Sequence, residues 1–234
     1  MFGHQLFLAE AYAELLATTG RVRGLIGPRE VSRLWERHLL NCAVLSDLLP
    51  RGSRIADVGS GAGLPGLVLA IRRPDLSVTL VEPLLRRATF LHEAVDQLGL
   101  ANTDVQRVRA EELHGRARFS AVTARAVAPL PRLVEWSMPL VERGGSLLAM
   151  KGSSAAEEVA AAADVLRRWQ THAEVLSLGD SLISPPATVV RVVAGDSPEL
   201  RLPRTSGSAE SRRRAGRRRG RGSGRGPHGD EGRQ

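Results

Sequence analysis

"DVGSGAGLPG", residues 57–66, follows the short run Arg54-Ile55-Ala56 and precedes the apolar stretch at 67–71. Its Gly61-x-Gly63-x-x-Gly66 spacing lets the main chain approach a bound ligand without interference from Cβ atoms. A strand, this turn and a helix form the opening unit of an open parallel sheet, in which ligands sit at the carboxyl ends of the strands. Pro65 suits the first turn of the helix that follows.

The pattern on either side fits that unit. Strands are expected at 54–59, 77–82, 104–109, 119–125, 145–152, 173–179 and 187–194. Helices are expected at 64–73, 83–99, 129–141 and 154–169. The last two strands meet through Ser184-Pro185-Pro186 with no helix between them, so at least one runs antiparallel. Upstream, 5–17 reads as a helix stopped at Gly20, and 28–49 as a second helix beginning at Pro28. The fold class is α/β: a doubly wound, seven-stranded, mostly parallel sheet with an N-terminal helical cap. The expected domains are a cap at 1–50, a ligand-binding domain at 51–196 and a tail at 197–234.

Hydrophobic residues make up 42% of the 234, but only 3% are aromatic, so the core is aliphatic. The single cysteine, Cys42, excludes a disulfide framework and a four-cysteine metal site, and no metal is expected. No stretch is long and apolar enough to span a membrane, and Glu10 and Glu14 mark the first segment as an amphipathic helix rather than a signal peptide. A cytoplasmic location follows as the expectation. The formal charge of +8 lies in residues 201–234, where eleven arginines face Glu210, Asp230 and Glu231; the first 200 residues hold 22 basic and 22 acidic groups. The tail, rich in Arg, Gly and Ser, is expected to be disordered and to contact RNA phosphates nonspecifically.

The acid beside the glycines selects among ligands. A diphosphate about 5 Å from Asp57 would meet a repulsion of roughly 3 kcal/mol at an effective dielectric near 20. S-adenosylmethionine carries a sulfonium and an ammonium instead, and an aspartate attracts both. Glu82 closes the second strand, where a carboxylate accepts both ribose hydroxyls. Ala110-Glu111 follow the third strand, where adenine is expected. Asp57, Glu82 and Glu111 thus close three successive strands, and the expected cofactor is S-adenosyl-L-methionine. The chain lacks the Asn/Asp-Pro-Pro-Tyr/Phe element that holds an exocyclic amine. Cys42 lies in the cap, away from the catalytic edge, and reads as a small buried group. His38 and His92 read as helix-surface or cap contacts. No general base stands out, which is consistent with an acceptor atom bearing a free lone pair, such as guanine N7.

"GPREVSRLWERHLLNC", "DVGSGAGLPGLVLA", "LVEPLLRRATFL", "RAEE", "VTARAVAPL" and "GGSLLAMKG" occur in one order. Over residues 20–195 the chain resembles the glucose-inhibited division protein B family. These are class I methyltransferases acting on guanine N7 in the decoding-region loop of small-subunit ribosomal RNA. The resemblance implies that Gly59 and Leu64 line the methionine end of the cofactor site; Gly61 and Gly63 of the same turn are also expected to bind the cofactor. It gives Glu82 to the ribose, Ala110 and Glu111 to the adenine, and Arg125 to cofactor or substrate. Lys151, closing the fifth strand, either touches RNA phosphate or simply snorkels its ammonium to solvent.

Many members carry Asn-Leu-Thr where this chain has Arg23-Gly24-Leu25, and Asp-Ser where it has Asn41-Cys42. Both departures fall in the cap, whose Arg21, Arg23, Arg29, Arg33 and Arg37 read as facing RNA. The implied partner is 16S ribosomal RNA or an assembling 30S particle, met by a monomer. Two further classes stay open: a methyltransferase for a small molecule or protein, and an NAD-dependent oxidoreductase.

Overall fold

A computed structural model describes residues 1–195. The basic tail at 197–234 lies outside the described residues. Seven strands form one sheet in the order β3-β2-β1-β4-β5-β7-β6. They are β1 Arg54–Val58, β2 Ser77–Val81, β3 Thr103–Gln106, β4 Phe119–Arg125, β5 Val141–Lys151, β6 Ala173–Leu178 and β7 Ala187–Val193. Strands β1 to β5 run parallel, and β7 lies antiparallel between β5 and β6. The expected closing hairpin is therefore present, and β7 is the reversed strand.

The order reverses between β1 and β4, so the topological switch point lies at Val58 and Arg125. The central strands read as nearly continuous apolar runs because both faces are covered. Ala56 and Asp57 stand opposite Val122 and Thr123, which sets the register at the site.

Helices α1 Leu6–Leu15, α2 Leu40–Ala43, α3 Gly66–Arg72 and α4 Leu85–Leu98 share one face of the sheet's core. On the other side lie α5 Leu130–Ser137, α6 Ala155–Ala161 and α7 Ala163–Arg168. The cap and the sheet share a single apolar cluster, in which Ala9, Tyr12, Leu16 and Leu45 pack with Ile55, Leu67 and Leu80.

Five local expectations need correction, the first being the strand expected at 104–109, which ends at Gln106 and leaves Glu111 on a 3₁₀ turn at Ala110–Leu113. Gly20 does not stop the first helix: a π-helical turn at Leu16–Gly20 carries it on, and the chain turns at Gly24, where φ is +67°. Gly20 is buried beside Leu15 and Leu16. The second cap segment is no uniform helix but a 3₁₀ turn at Pro28–Arg33, a π-helical stretch at Leu34–Leu39, α2, and a 3₁₀ turn at Val44–Leu48. The helix expected at 154–169 breaks at Ala162, which divides α6 from α7. Finally, β5 begins four residues early, because Val141 already pairs with Phe119 across a register shift.

Candidate functional site

The turn at 57–66 is held from three sides. From below, Asp57 is fully buried; its carboxylate accepts the Gly66 N–H at 3.0 Å and the Thr123 hydroxyl at 2.9 Å. Gly66 is required there, since a Cβ would lie 2.3 Å from Leu80 Cδ2 and 2.8 Å from Asp57 Oδ2. From the side, Glu82 accepts the Gly61 N–H at 3.0 Å through one oxygen and the Leu84 N–H at 3.0 Å through the other. From above, the Tyr12 hydroxyl of α1 donates to the Ala62 carbonyl at 2.7 Å. Gly59 sits at φ +68°, and a Cβ there would press on Val127 at 2.7 Å.

A cleft of about 530 Å³ runs along the carboxyl ends of β1, β2 and β3. Gly59, Glu82, Ala110, Glu111, Val127 and Trp136 are among its walls. A volume in this range suits a nucleoside-sized ligand. Next to it, under the cap, a recess of about 250 Å³ is lined by Gly59, Gly61, Leu64, His38, Arg125 and Ala126, among others. Gly59, Arg87 and Ala126 border both spaces. Ala126 holds a left-handed φ of +54°, an uncommon conformation for a residue with a Cβ, directly after Arg125.

Of the residues singled out from sequence, Gly59, Gly61, Leu64, Glu82, Ala110, Glu111 and Arg125 line these two spaces. Gly63 does not; its φ of +93° and its contact with Leu67 shape the turn from within. Asp57 also stands apart from both. Its position under the turn corrects the picture of a carboxylate facing a cationic ligand: burial raises its pKa to about 7, and its hydrogen bonds go to Gly66 and Thr123. Lys151 is engaged within the fold, with Nζ at 2.6 Å from Glu158 and 2.9 Å from the Ala128 carbonyl. There it braces the loop that follows Arg125.

Tyr12 is not among the residues singled out from sequence, and His38, read as a helix-surface or cap contact, makes a cap contact with Glu30 and reaches Arg125 as well. His38 is buried at 9% exposure, and its ring joins Glu30 at 2.8 Å and Arg125 at 2.5 Å. Cys42 lies in the same group, its Sγ 3.2 Å from the Arg125 guanidinium. A signal was present: His38 and Cys42 stand four residues apart, on one side of a helical turn.

The electrostatics discriminate between ligands. A diphosphate binds a glycine turn through free N–H groups at a helix start. Here Glu82 already takes the Gly61 N–H, and Asp57 takes that of Gly66. The acid that disfavours a phosphate in the cleft is therefore Glu82. Each of its oxygens keeps lone-pair capacity beyond its one backbone bond, the chemistry a ribose diol requires. At the other end, Arg125 offers a cation to a carboxylate. The residues fit an aminoacyl nucleoside such as S-adenosylmethionine.

Comparison with known proteins agrees. The chain is 58% identical over 223 residues to the ribosomal RNA small subunit methyltransferase G of a Nocardioides species, covering 95% of this chain and 88% of that one. It is 54% identical over 222 residues to the protein of that name from Thermobifida fusca, covering 92% and 94%. Among solved structures, a Thermotoga maritima S-adenosylmethionine-dependent O-methyltransferase shares the fold at a TM-score of 0.54 and 16% identity, over 73% of this chain and 71% of that one. Another, TYW2 of P. horikoshii in complex with MeSAdo, does so at 0.55 and 10%, over 68% and 63%. The model of the GidB family, described as rRNA small subunit methyltransferase G, matches residues 5–180, and the chain belongs to that family.

Proposed function

We propose that this S-adenosylmethionine-dependent ribosomal RNA methyltransferase acts on N7 of a guanine in the decoding-region loop of 16S ribosomal RNA. The double use of Glu82, which closes the Gly61 N–H to phosphate while it lines a nucleoside-sized cleft, carries the cofactor side of the reading, and the family match supports the RNA acceptor. Glu82 holds the ribose, Ala110 and Glu111 the adenine side, and Gly59, Gly61 and Leu64 the methionine end. Arg125 takes the carboxylate. Asp57 and Gly63 act through the shape of the turn. When bound, the cofactor supplies an electrophilic methyl group.

Guanine N7 bears its own lone pair, so no residue has to remove a proton. Cys42 suits no thiolate mechanism: burial pushes its pKa up to about 11, and it lies beneath Arg125. What the chain supplies is position and exclusion of water. A base in an unpaired loop reaches the recess at the least unstacking cost.

Exposed Arg21, Arg29 and Arg33 of the cap face RNA phosphates in this reading, while Arg23 and Arg37 are paired with Glu93 and Glu30. The protein acts as a cytoplasmic monomer, and its basic tail adds nonspecific affinity. With about six tail arginines on phosphates, log affinity falls against log salt with a slope near −5. Cutting after Ser206 flattens that slope; an unchanged slope removes the tail from the reading.

The central test transfers tritiated methyl from S-adenosylmethionine to naked 16S RNA and to 30S particles, followed by nucleoside digestion. Label in 7-methylguanosine supports the proposal. Label in another nucleoside overturns the N7 assignment, and label only in protein or small molecules points to the other methyltransferase class. Calorimetric uptake of NAD in place of S-adenosylmethionine would overturn the cofactor itself.

A further inference from the structure

One chain of hydrogen bonds crosses from the cap to the carboxyl edge of the sheet. Glu30 Oε2 stands 2.8 Å from His38 Nε2, and His38 Nδ1 stands 2.5 Å from an Arg125 terminal nitrogen. The same guanidinium donates to Cys42 Sγ at 3.2 Å and to the Arg37 carbonyl at 3.4 Å. The chemistry fixes the direction of the chain. A guanidinium has only donors, so His38 Nδ1 must accept. The ring proton then sits on Nε2, where the Glu30 carboxylate receives it. His38 is therefore neutral, and its burial and the nearby Arg125 both favour that form.

All three acceptors of Arg125 are thus uncharged: an imidazole nitrogen, a protonated thiol and a peptide carbonyl. No carboxylate pairs with Arg125 among the described residues, although the chain is rich in Arg–acid pairs elsewhere. The guanidinium is held firmly without losing its charge. It borders the recess beneath the cap together with Gly59, Gly61 and Leu64.

We propose that His38, oriented by Glu30, is a positioning residue that holds an unneutralised Arg125 over the glycine turn for the carboxylate of the cofactor's amino-acid end. This rests on the placement of that end at Gly59–Leu64 in the proposed function. The cap thereby completes a binding site whose other parts come from the sheet. His38 works through Arg125 and does not itself touch the ligand.

Two ligands separate this role from general support of the cap. S-adenosylhomocysteine has the amino-acid end, and 5′-methylthioadenosine lacks it. Their affinities are measured by calorimetry on the full chain carrying Arg125→Gln, His38→Gln, His38→Asn or Glu30→Ala. Arg125→Gln should weaken S-adenosylhomocysteine about 10- to 100-fold, the worth of a charged hydrogen bond, and spare methylthioadenosine. His38→Gln keeps a polar group toward Glu30 but no acceptor at Nδ1, and should weaken S-adenosylhomocysteine roughly 5- to 10-fold. His38→Asn keeps an acceptor near Nδ1 and should stay within about 2-fold of the parent. Glu30→Ala frees the tautomer by removing a side chain that is 30% exposed, and should cost about 3-fold, again for S-adenosylhomocysteine alone.

The inference is overturned if both His38 variants and Glu30→Ala leave S-adenosylhomocysteine unaffected while Arg125→Gln is selective. Equal loss of both ligands in His38→Gln overturns it too, since that marks a merely structural histidine, as does equal behaviour of the Gln and Asn variants. Should Arg125→Gln spare S-adenosylhomocysteine, the placement of the amino-acid end fails instead.

Discussion

The Tyr12 hydroxyl donates to the Ala62 carbonyl at 2.7 Å, binding the first helix to the tip of the glycine turn fifty residues away. Tyr12 is fully buried, and burial raises its pKa well above the usual phenol value, so it is a permanent donor. Tyr12→Phe keeps the ring and leaves the Ala62 oxygen without a partner in a buried place. Such an orphaned acceptor costs about 1–3 kcal/mol. Urea denaturation should register that loss, and calorimetry should find weaker S-adenosylhomocysteine uptake as the turn loosens. Unchanged values in both would show that the helix does not support the turn.

Asp57 makes stability depend on pH. Burial lifts its carboxyl to about 7 from an ordinary 3.8, against the hydrogen bonds from Thr123 and Gly66. A folded-state pKa above the unfolded one means that folding favours the protonated acid. The stabilisation is complete below the unfolded value and is lost as pH rises through about 7. Asn at this position cannot titrate, and its carbonyl can still accept from Gly66. Between pH 5 and pH 8 the parent should therefore lose about 3 kcal/mol relative to Asp57→Asn in urea melts. A gap that stays constant across that range would contradict the burial argument. Asp57→Ala removes the acceptor altogether and should be less stable than Asp57→Asn at every pH.

Gly59 and Gly144 both adopt positive φ, +68° and +74°, but only Gly59 has a neighbour in the way. An alanine at either position pays about 1–2 kcal/mol for the left-handed backbone. At Gly59 the new Cβ would also meet Val127 Cγ2 at 2.7 Å and push the strand-end loop out of the cleft, whereas nothing lies within 4 Å at Gly144. Gly144→Ala should lower the melting temperature and keep cofactor affinity. Gly59→Ala should lower both, affinity by 10-fold or more. Equal affinity in the two variants would remove the Val127 contact from the site.

How far the sequence reaches depends on the range of the interaction. The β1, β2 and β4 strands carry near-continuous apolar runs, and the structure places each within one residue of its expected bounds. Gly99 ends α4 at φ +62°, as its position after a helical pattern predicts. The irregular cap has no local cause. Leu34, Leu39, Cys42 and Leu45 are all fully or nearly buried, and π-helical and 3₁₀ turns let them face one sheet where an ideal helix would spread them. At the site, Asp57, Glu82 and Glu111 were legible as acids near the cleft, although β3 stops at Gln106 and Glu111 stands on a 3₁₀ turn at Ala110–Leu113. That Asp57 points down and Glu82 points into the cleft is a matter of the pleat and of which amides each side chain meets. The pair Arg125–His38 spans 87 residues, beyond the reach of any local pattern.

Lys151 gives a prediction in which two readings part. Its side chain is 10% exposed and its Nζ bonds to Glu158 at 2.6 Å, and Glu158 also accepts the Leu130 N–H at 2.9 Å. Together with the Ala128 carbonyl, this group fixes both ends of the segment 128–130 just beyond Ala126, whose backbone is strained. Lys151→Met retains the apolar stem and leaves Glu158 and the Ala128 oxygen short of a partner. With Glu158 about a quarter exposed, solvent screens part of the loss, so a cost of about 1–3 kcal/mol is expected. Methyl transfer should slow as the loop loosens, and Glu158→Gln should reproduce part of both effects. A lysine on an RNA phosphate behaves otherwise. Its removal lowers the salt dependence of RNA binding by about one unit of slope and spares the fold. For Lys151→Met the slope should stay at the parent's value while the melting temperature falls; the reverse pattern would return this lysine to the RNA interface.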